Sequence, residues 1–377
     1  MYFDPSKSTS GQRFFHELCR TLANEAVPLE DGPVAVLFNV SVPVSVIFKA
    51  KLRGQRIALR VDGLYFDRLS PAFLATFRWP LRMLFGLGLR YPGLHDVLAF
   101  WANFISRNYA AFARVVLADV VIYQSMFSRQ VYSRYFQNKA YHVILNGSVF
   151  KGDRSSASRV PDRNDIRLIT IYDGWRPAKR IDTLVDFVVW AKEVKQLPIQ
   201  LTILGYTGAV PACAPPGLKA RIESSSCIRT LPKFDAFDSD IEAALLDSDV
   251  FITFCYRDSC PNTVVESMAH GLPVVAVESG GVPEICGNAG VLIPFDDFAE
   301  GWFCSHRYDC RFPPLDFEHV LEAVLTVIDK RAMYQQRVSE RFATDLGIEA
   351  VATRYATVLR SMVHDASVGD AGTEACS

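Results

Sequence analysis

Two carboxylates with seven residues between them, Asp258 and Glu266, lie in the run FITFCYRDSCPNTVVESMAHGLPVVA at positions 251–276. The run parses as a buried strand, a loop, a helix opened by Pro261, a stop at Gly271 and a second buried strand. Proline suits the first helical turn and glycine the end, so the helix is well bounded. A loop and helix N-terminus at the carboxyl end of a parallel strand are where α/β sheets bind ligands. Unpaired N–H groups there favour an anion such as a pyrophosphate, and the amides around Pro261, with Asn262 and Thr263 as the donors, are the candidates. Glu266, one turn into the helix, is placed to accept from ribose hydroxyls beside the phosphate. Asp258 could hold another hydroxyl-bearing group. The plainer alternative makes Glu266 a solvated helix residue and Asp258 a loop cap.

The elements around this run alternate short β-rich segments with helical patterns, the rhythm of parallel α/β units. With 377 residues, half of them hydrophobic, two domains with full cores are expected and disorder is not. In the front part, strands are predicted at residues 2–3, 34–38, 56–61, 120–123 and 141–145. A helix is predicted over 12–26, with His16 read as packed on it. The polar stretch 151–164 reads as a linker. The rhythm then restarts with strands at 166–172, 199–204, 250–254 and 274–277, and helices at 181–194, 241–246, 263–270, 317–329 and 334–359. Residues 365–377 read as a frayed tail. The domain boundaries expected are 1–150 and 165–340, with a C-terminal helix over 341–365 packing back on the first domain.

Nine cysteines without a C-x-x-C pair argue for free buried thiols in a reducing compartment. Cys304 and Cys310 flank His306, too few ligands for a zinc site, and no metal is expected. The N-terminus carries Asp4, Pro5 and Lys7 within its first residues and no apolar core of a signal peptide. The uncharged run 32–48 is too short and too interrupted to span a bilayer. A cytoplasmic location, with peripheral contact on the inner face of the membrane as the variant of it, is the expectation.

The run from Asp258 onward resembles the signature of the retaining glycosyltransferases of family 4. That signature has an acid, seven residues, a Glu, a small-residue helix and G-x-P-V-V, matched here by Gly271-Leu272-Pro273-Val274-Val275. Cys260-Pro261-Asn262 resembles the bacterial polysaccharide-type subset with C-P-N before the Glu. Asp258 stands where the family usually has Glu, one carbon longer. Asp249-Val250-Phe251-Ile252, Gly280-Gly281-Val282-Pro283-Glu284 and Asn146-Gly147 resemble further family segments. The resemblance implies an α/β fold of GT-B type, two Rossmann-like doubly wound domains facing a central cleft. It also implies transfer from a nucleotide-sugar donor to a glycan or polyprenyl-linked acceptor, with retention of configuration and no metal. Glu266 would anchor the ribose and Asp258 the transferred sugar.

The same resemblance gives roles to basic residues. In Asp173-Gly174-Trp175-Arg176-Pro177-Ala178-Lys179-Arg180, the pair Arg176 and Lys179, with Arg180 as substitute, would neutralise the donor pyrophosphate. Cations at a helix start oppose its dipole, so a purely structural reading is disfavoured. Ser8 to Gly11 sits where the family has a glycine-rich loop at the donor phosphates, which makes Gly11 a candidate. Asp62, in Arg60-Val61-Asp62-Gly63 after a strand, is the candidate for orienting or deprotonating the acceptor hydroxyl. A turn-forming Asp-Gly is its alternative. The base would contact the edge at 229–231, after a strand ending near 228.

Charge is divided unevenly along the chain: residues 1–150 carry 17 Lys and Arg against 9 Asp and Glu, the remainder 23 against 32. Within the basic part, residues 71–117 combine Trp79, Phe85, Trp101 and Phe104 with Arg78, Arg82, Arg90, Arg107 and Arg114, against the single acid Asp96. Such a composition suits a helix lying on an anionic membrane surface, and equally a core helix pair with an exposed basic face. Nucleic acid is not an expected partner. A GT-B sugar epimerase or phosphorylase, or an inert GT-B binding subunit, remain as alternative functions. A nicotinamide dehydrogenase is disfavoured because no G-x-G-x-x-G follows a strand.

Overall fold

The computed structural model describes residues 10–24, 34–149, 165–172, 176–210, 214–232, 239–295, 308 and 312–371. The strand predicted at 2–3, the linker 151–164 and the Cys304–His306–Cys310 cluster lie outside them. The chain packs as two units. The first takes its described residues from Met1–Leu64, Phe104–Val149 and Ala343–Ser377, and the second from Tyr65–Asn103 and Phe150–Phe342.

In the first unit, helix α1 (Ser10–Asn24) precedes strand β1 (Ala35–Asn39), helix α2 (Val44–Leu52) and strand β2 (Arg56–Val61). The chain leaves the unit after β2 through helices α3 (Pro71–Leu74), α4 (Trp79–Arg90) and α5 (His95–Asn103). It returns through α6 (Tyr109–Leu117) to strand β3 (Val120–Tyr123), helix α7 (Met126–Ser133) and strand β4 (Tyr141–Val143). The four strands pair in parallel in sequential order, with Ala35 opposite Arg56, Ala58 opposite Val120 and Val121 opposite Tyr141. Strands β2 and β3 are buried almost throughout, the requirement of a parallel sheet covered on both faces. Helix α1 starts two residues earlier than predicted and turns Phe14, Phe15, Leu18 and Leu22 inward. His16 stands exposed on it rather than buried.

Strand β5 (Ile166–Ile171) opens the second unit. It is followed by helix α8 (Ile181–Glu193), strand β6 (Ile199–Leu204), helix α9 (Leu218–Ser224), strand β7 (Ile228–Leu231), helix α10 (Ser239–Leu246) and strand β8 (Val250–Thr253). Helix α11 (Asn262–Ala269), strand β9 (Val274–Val277), helix α12 (Val282–Cys286), strand β10 (Gly290–Ile293) and helices α13 (Phe317–Asp329) and α14 (Arg331–Arg341) complete it. All six strands are parallel in the order β10-β9-β8-β5-β6-β7. Residues 229–231 belong to the edge strand β7 rather than to a loop after it. Helix α8 buries Ile181, Leu184, Val185 and Val188 against the sheet, and α13 buries Val320, Val324 and Val327. Asp316 caps α13 by accepting from Glu318 N at 2.9 Å.

The helix predicted over 334–359 is two helices. Helix α14 ends in a π turn at Phe342–Leu346, and α15 (Ile348–Ala371) begins afresh after Gly347. The break serves a docking contact. Ser148 N donates to Leu346 O at 2.9 Å, Ile348 N donates to Ser148 O at 3.0 Å, and Val351, Ala352 and Tyr355 of α15 join the first unit's core beside α1. Gly147 makes room for this, because a Cβ there would lie 2.9 Å from Val351 Cγ2. Helix α15 continues to Ala371, so the first part of the predicted tail is helical.

Candidate functional site

The sheet order of the second unit fixes where its loops meet. From β5 the chain moves outward through β6 and β7, then returns to place β8 on the other side of β5, with Leu168 opposite Val250 and Ile169 opposite Phe251. The direction reverses between β5 and β8, and the crevice outside the carboxyl ends at such a switch point is where open α/β sheets bind ligands. The loop after β5 carries Arg176, Lys179 and Arg180. The loop after β8 carries Asp258 and runs into α11. A main-chain hydrogen bond from Tyr256 N to Ala178 O, 2.7 Å, ties the two loops together.

Lys179 and Asp258 meet across that junction. Lys179 Nζ donates to Asp258 Oδ2 at 3.2 Å, and both side chains are mostly buried. Burial works against the Lys179 ammonium, but its neighbours Cys255 and Asp258 outweigh it and hold the lysine above its usual range. Burial would likewise raise Asp258. The Lys179 charge and hydrogen bond, the Cys260 N–H at 3.2 Å and the Arg176 charge more than offset it and keep the carboxyl below its usual range. Cys255, pushed up to about 11 chiefly by burial, stays a neutral thiol 3.8 Å from Asp258 Oδ2. Asp258 is therefore the charged partner that matters to Lys179 near neutral pH.

The Asp258 backbone is cradled by the turn after β9. Gly280 has φ +62°, and a Cβ there would lie 2.3 Å from Asp258 O and 2.8 Å from Asp258 N. Gly281 N donates to Asp258 O at 2.8 Å, and Arg257 N donates to Ser279 Oγ at 2.8 Å. Only glycine serves at 280, on both grounds. Two non-glycine residues in the left-handed region, Arg180 at φ 51° and Arg257 at φ 50°, flank the junction, one on each loop. Such conformations cost on the order of 1–3 kcal/mol each and gather where a structure holds a working geometry.

The three basic candidates Arg176, Lys179 and Arg180 separate. Arg176 is exposed at the head of the short 3-10 turn Pro177–Lys179. Arg180, only 2% exposed, turns away. Its Nη2 donates to Pro313 O at 2.8 Å, its guanidinium lies over the Phe312 and Phe295 rings at 5.4 and 5.9 Å, and burial lowers it to about 10. Pro261 stands immediately before α11 without a side-chain cap on that helix, and Asn262 and Thr263 form its first, half-buried positions. Glu266 is half-buried one turn on. His270 Nδ1 lies 2.8 Å from the Glu266 carbonyl oxygen, which can only accept, so Nδ1 carries the proton. A charge pair, an exposed arginine and a helix N-terminus thus converge at one switch point, an arrangement able to hold a polyanion.

A second polar cluster sits at the strand ends of the first unit. Asp62, just past β2, accepts from Arg60 Nη1 at 3.3 Å and from Gln124 Nε2. Arg60, 1% exposed, also donates to Asn39 Oδ1 at 2.9 Å and Asn146 Oδ1 at 2.7 Å, with its guanidinium 4.9 Å from the centre of the Phe14 ring. Asn146 Nδ2 donates to Gln124 Oε1 at 3.0 Å. The Asp-Gly after β2 is thus one member of a hydrogen-bonded network. Sequence reasoning missed Asn39, Arg60 and Gln124. Their signal was present, a polar residue at or next to the carboxyl end of each of the apolar strands β1, β2 and β3. Gly11 lies in the first turn of α1, and residues 8 and 9 of its loop fall outside the described residues. Among the described residues no group of three or more His, Cys, Asp and Glu could hold a metal ion. No described helix is long and apolar enough to cross a membrane.

Comparison with known proteins agrees with this architecture. Residues 168–303 match the family model described as glycosyl transferases group 1. No curated protein matches the chain in sequence. Among solved structures, the chain is similar to the pneumococcal O-GlcNAc transferase GtfA in complex with UDP and GlcNAc (TM-score 0.55, 14% identity). That match covers 88% of this chain and 57% of GtfA. It is also similar to WaaG, a glycosyltransferase involved in lipopolysaccharide biosynthesis (TM-score 0.54, 14% identity, 95% of this chain and 98% of WaaG). A third is Anabaena HepE in complex with UDP (TM-score 0.53, 16% identity, 94% of this chain and 84% of HepE). The chain spans less than two thirds of the length of GtfA. Its fold is GT-B, and the part that bears the two joined loops, residues 168–303, matches the glycosyl transferases group 1.

Proposed function

We propose that this protein is a retaining glycosyltransferase, moving a sugar from a nucleotide-sugar donor to a hydroxyl of a glycan or polyprenyl-linked acceptor in polysaccharide or glycoconjugate synthesis in the cytoplasm. The observation that carries the reading is the Lys179–Asp258 pair beside the N-terminus of α11, at the switch point of the sheet. In this reading the bond between the sugar C1 and the donor phosphate oxygen breaks, and a bond from C1 to the acceptor oxygen forms. The leaving nucleoside diphosphate keeps the electron pair. Arg176, Lys179 and the amides at the start of α11 offset its charge, with no metal required. Glu266 accepts from the ribose hydroxyls and Asp258, held ionised by Lys179, orients the transferred sugar. Asp62, fixed by Arg60 and Gln124, orients the acceptor hydroxyl or takes its proton. GtfA and HepE were each solved with UDP, which makes uracil the first base to test.

The test is ligand-dependent thermal stability, because a ligand that binds only the folded state raises it by mass action. UDP should raise the melting temperature, uridine far less. Arg176→Ala should weaken UDP binding about tenfold and leave uridine binding unchanged, since only the diphosphate carries the charge that Arg176 offsets. An equal effect on both ligands would remove Arg176 from the phosphate site. Release of nucleoside diphosphate from a nucleotide sugar only when an acceptor is present separates transfer from epimerisation, and independence from added phosphate separates it from phosphorolysis. If no nucleoside diphosphate of any base stabilises the chain, the reading fails.

A further inference from the structure

We propose that the hairpin of α4 and α5 docks on an anionic lipid surface. Its inner side is already filled. Phe77 packs against Phe73 and Phe85 with ring centroids 5.3 and 5.0 Å apart, and Phe66 stacks on Phe100 at 6.0 Å. At Gly88 of α4 a Cβ would lie 2.4 Å from Cδ1 of Leu69, in the segment before α3, and 3.4 Å from the Cα of His95, the first residue of α5, so the inner side of the hairpin leaves no room there. Asn103 fastens the base of the hairpin. Its Nδ2 donates to the Asp67 and Ala99 carbonyl oxygens at 2.8 Å each, and its Oδ1 accepts from Asp67 N at 2.9 Å.

The outer side is apolar as well. Trp79, Met83 and Leu87 recur at every fourth position along α4, Trp79 being 73% and Met83 61% exposed. Val97 and Trp101 do the same on α5, and Leu94 is exposed in the turn between the helices. A helix at a water-facing surface is polar on its second face. One that is apolar on both has something other than water to meet. Charge decides between the occupants. Arg78, Arg82 and Arg90 are exposed on the same hairpin, and the one acid between residues 71 and 117, Asp96, lies 2.9 Å from His95 Nδ1. A second copy meeting this face symmetrically would set these arginines near their own equivalents. Lipid phosphates would instead pair with them while the tryptophans and aliphatic side chains enter the acyl boundary.

None of these residues belongs to the proposed nucleotide site, so the inference stands or falls separately from sugar transfer. The measurement is co-sedimentation of the full chain with phosphatidylcholine vesicles, with and without phosphatidylglycerol. Binding is expected only with the anionic lipid and should weaken as salt rises. Arg78→Glu, Arg82→Glu and Arg90→Glu together should lower the partition coefficient by about a hundredfold or more. Met83→Glu with Leu87→Glu should also release the protein. Both variants should melt and bind UDP as the unaltered chain does, because these side chains face outward. Three results would overturn the proposal. The first is an unaltered chain that stays in the supernatant at low salt, and the second is sedimentation indifferent to both sets of substitutions. The third is a dimer in solution that Met83→Glu with Leu87→Glu dissolves while no vesicle binding is seen, which would assign the face to a second copy.

Discussion

Glu266→Gln is expected to slow sugar transfer by about 2–3 kcal/mol in activation free energy, roughly a hundredfold, with thermal unfolding unchanged. The magnitude is that of a charge-assisted hydrogen bond replaced by a neutral one. Glutamine keeps the shape and the half-buried position of the side chain, one turn into α11, so the helix should be undisturbed. The loss should appear in binding of both the nucleoside and the nucleoside diphosphate, because the ribose is common to them. That distinguishes Glu266 from Arg176, whose removal should spare the nucleoside. Measuring kcat/KM for the donor beside calorimetric binding of the two ligands checks both statements. Near-normal turnover in Glu266→Gln would remove the residue from the site.

Lys179→Met should lower the stability of the second unit by about 2–3 kcal/mol, because it leaves the Asp258 carboxylate mostly buried without its cation. The value lies at or just below the lower end of the range for a broken buried pair, since the two side chains keep 16% and 27% of their surface in solvent. Its dependence on pH has a definite sign. Asp258 is depressed in the fold, so its contribution is present above about pH 4, the ordinary carboxylate value, and is lost as pH falls through the depressed one. Lys179 is raised, so its contribution is present below about pH 10 and is lost as pH rises through the raised value. The pair therefore contributes fully across the neutral range. In Lys179→Met, burial raises Asp258 against only the Cys260 N–H and the Arg176 charge, so the carboxyl should titrate higher than in the unaltered chain and the deficit should shrink as acid protonates it. Adding Asp258→Asn should restore much of the lost stability. Denaturant unfolding of the two single variants and the double variant at several pH values measures this. A double variant no more stable than Lys179→Met alone would show that the two side chains are not coupled.

Local sequence determined much of this protein. The buried β-branched runs at Arg56–Val61, Val120–Tyr123, Ile199–Leu204 and Val274–Val277 form strands over the spans predicted. Proline 261 and Gly271 bracket α11 to within a residue, and with it the relation of Asp258 to Glu266. These outcomes depend on residues within a turn or two of one another, where side-chain size, branching and missing N–H groups restrict the backbone directly. What lay beyond the sequence depends on partners far along the chain. That Lys179 meets Asp258, 79 positions later, follows from β8 returning to lie beside β5. The resemblance ranked Arg176 and Lys179 ahead of Arg180, but nothing local in the run from Arg176 to Arg180 told which cation would meet Asp258. The left-handed backbone at Arg180 and the rings of Phe295 and Phe312 decided it. Likewise the periodicity of 334–359 was helical throughout, and the break at Gly347 exists because α15 docks on α1 and the strands of the first unit. The aromatic stretch after Pro71 had two readings because apolar periodicity shows which faces exclude water without showing how many of them the fold can cover. Only the packed hairpin, closed at Gly88 and Asn103, shows that one apolar face is covered from within the chain and that a second is left outside.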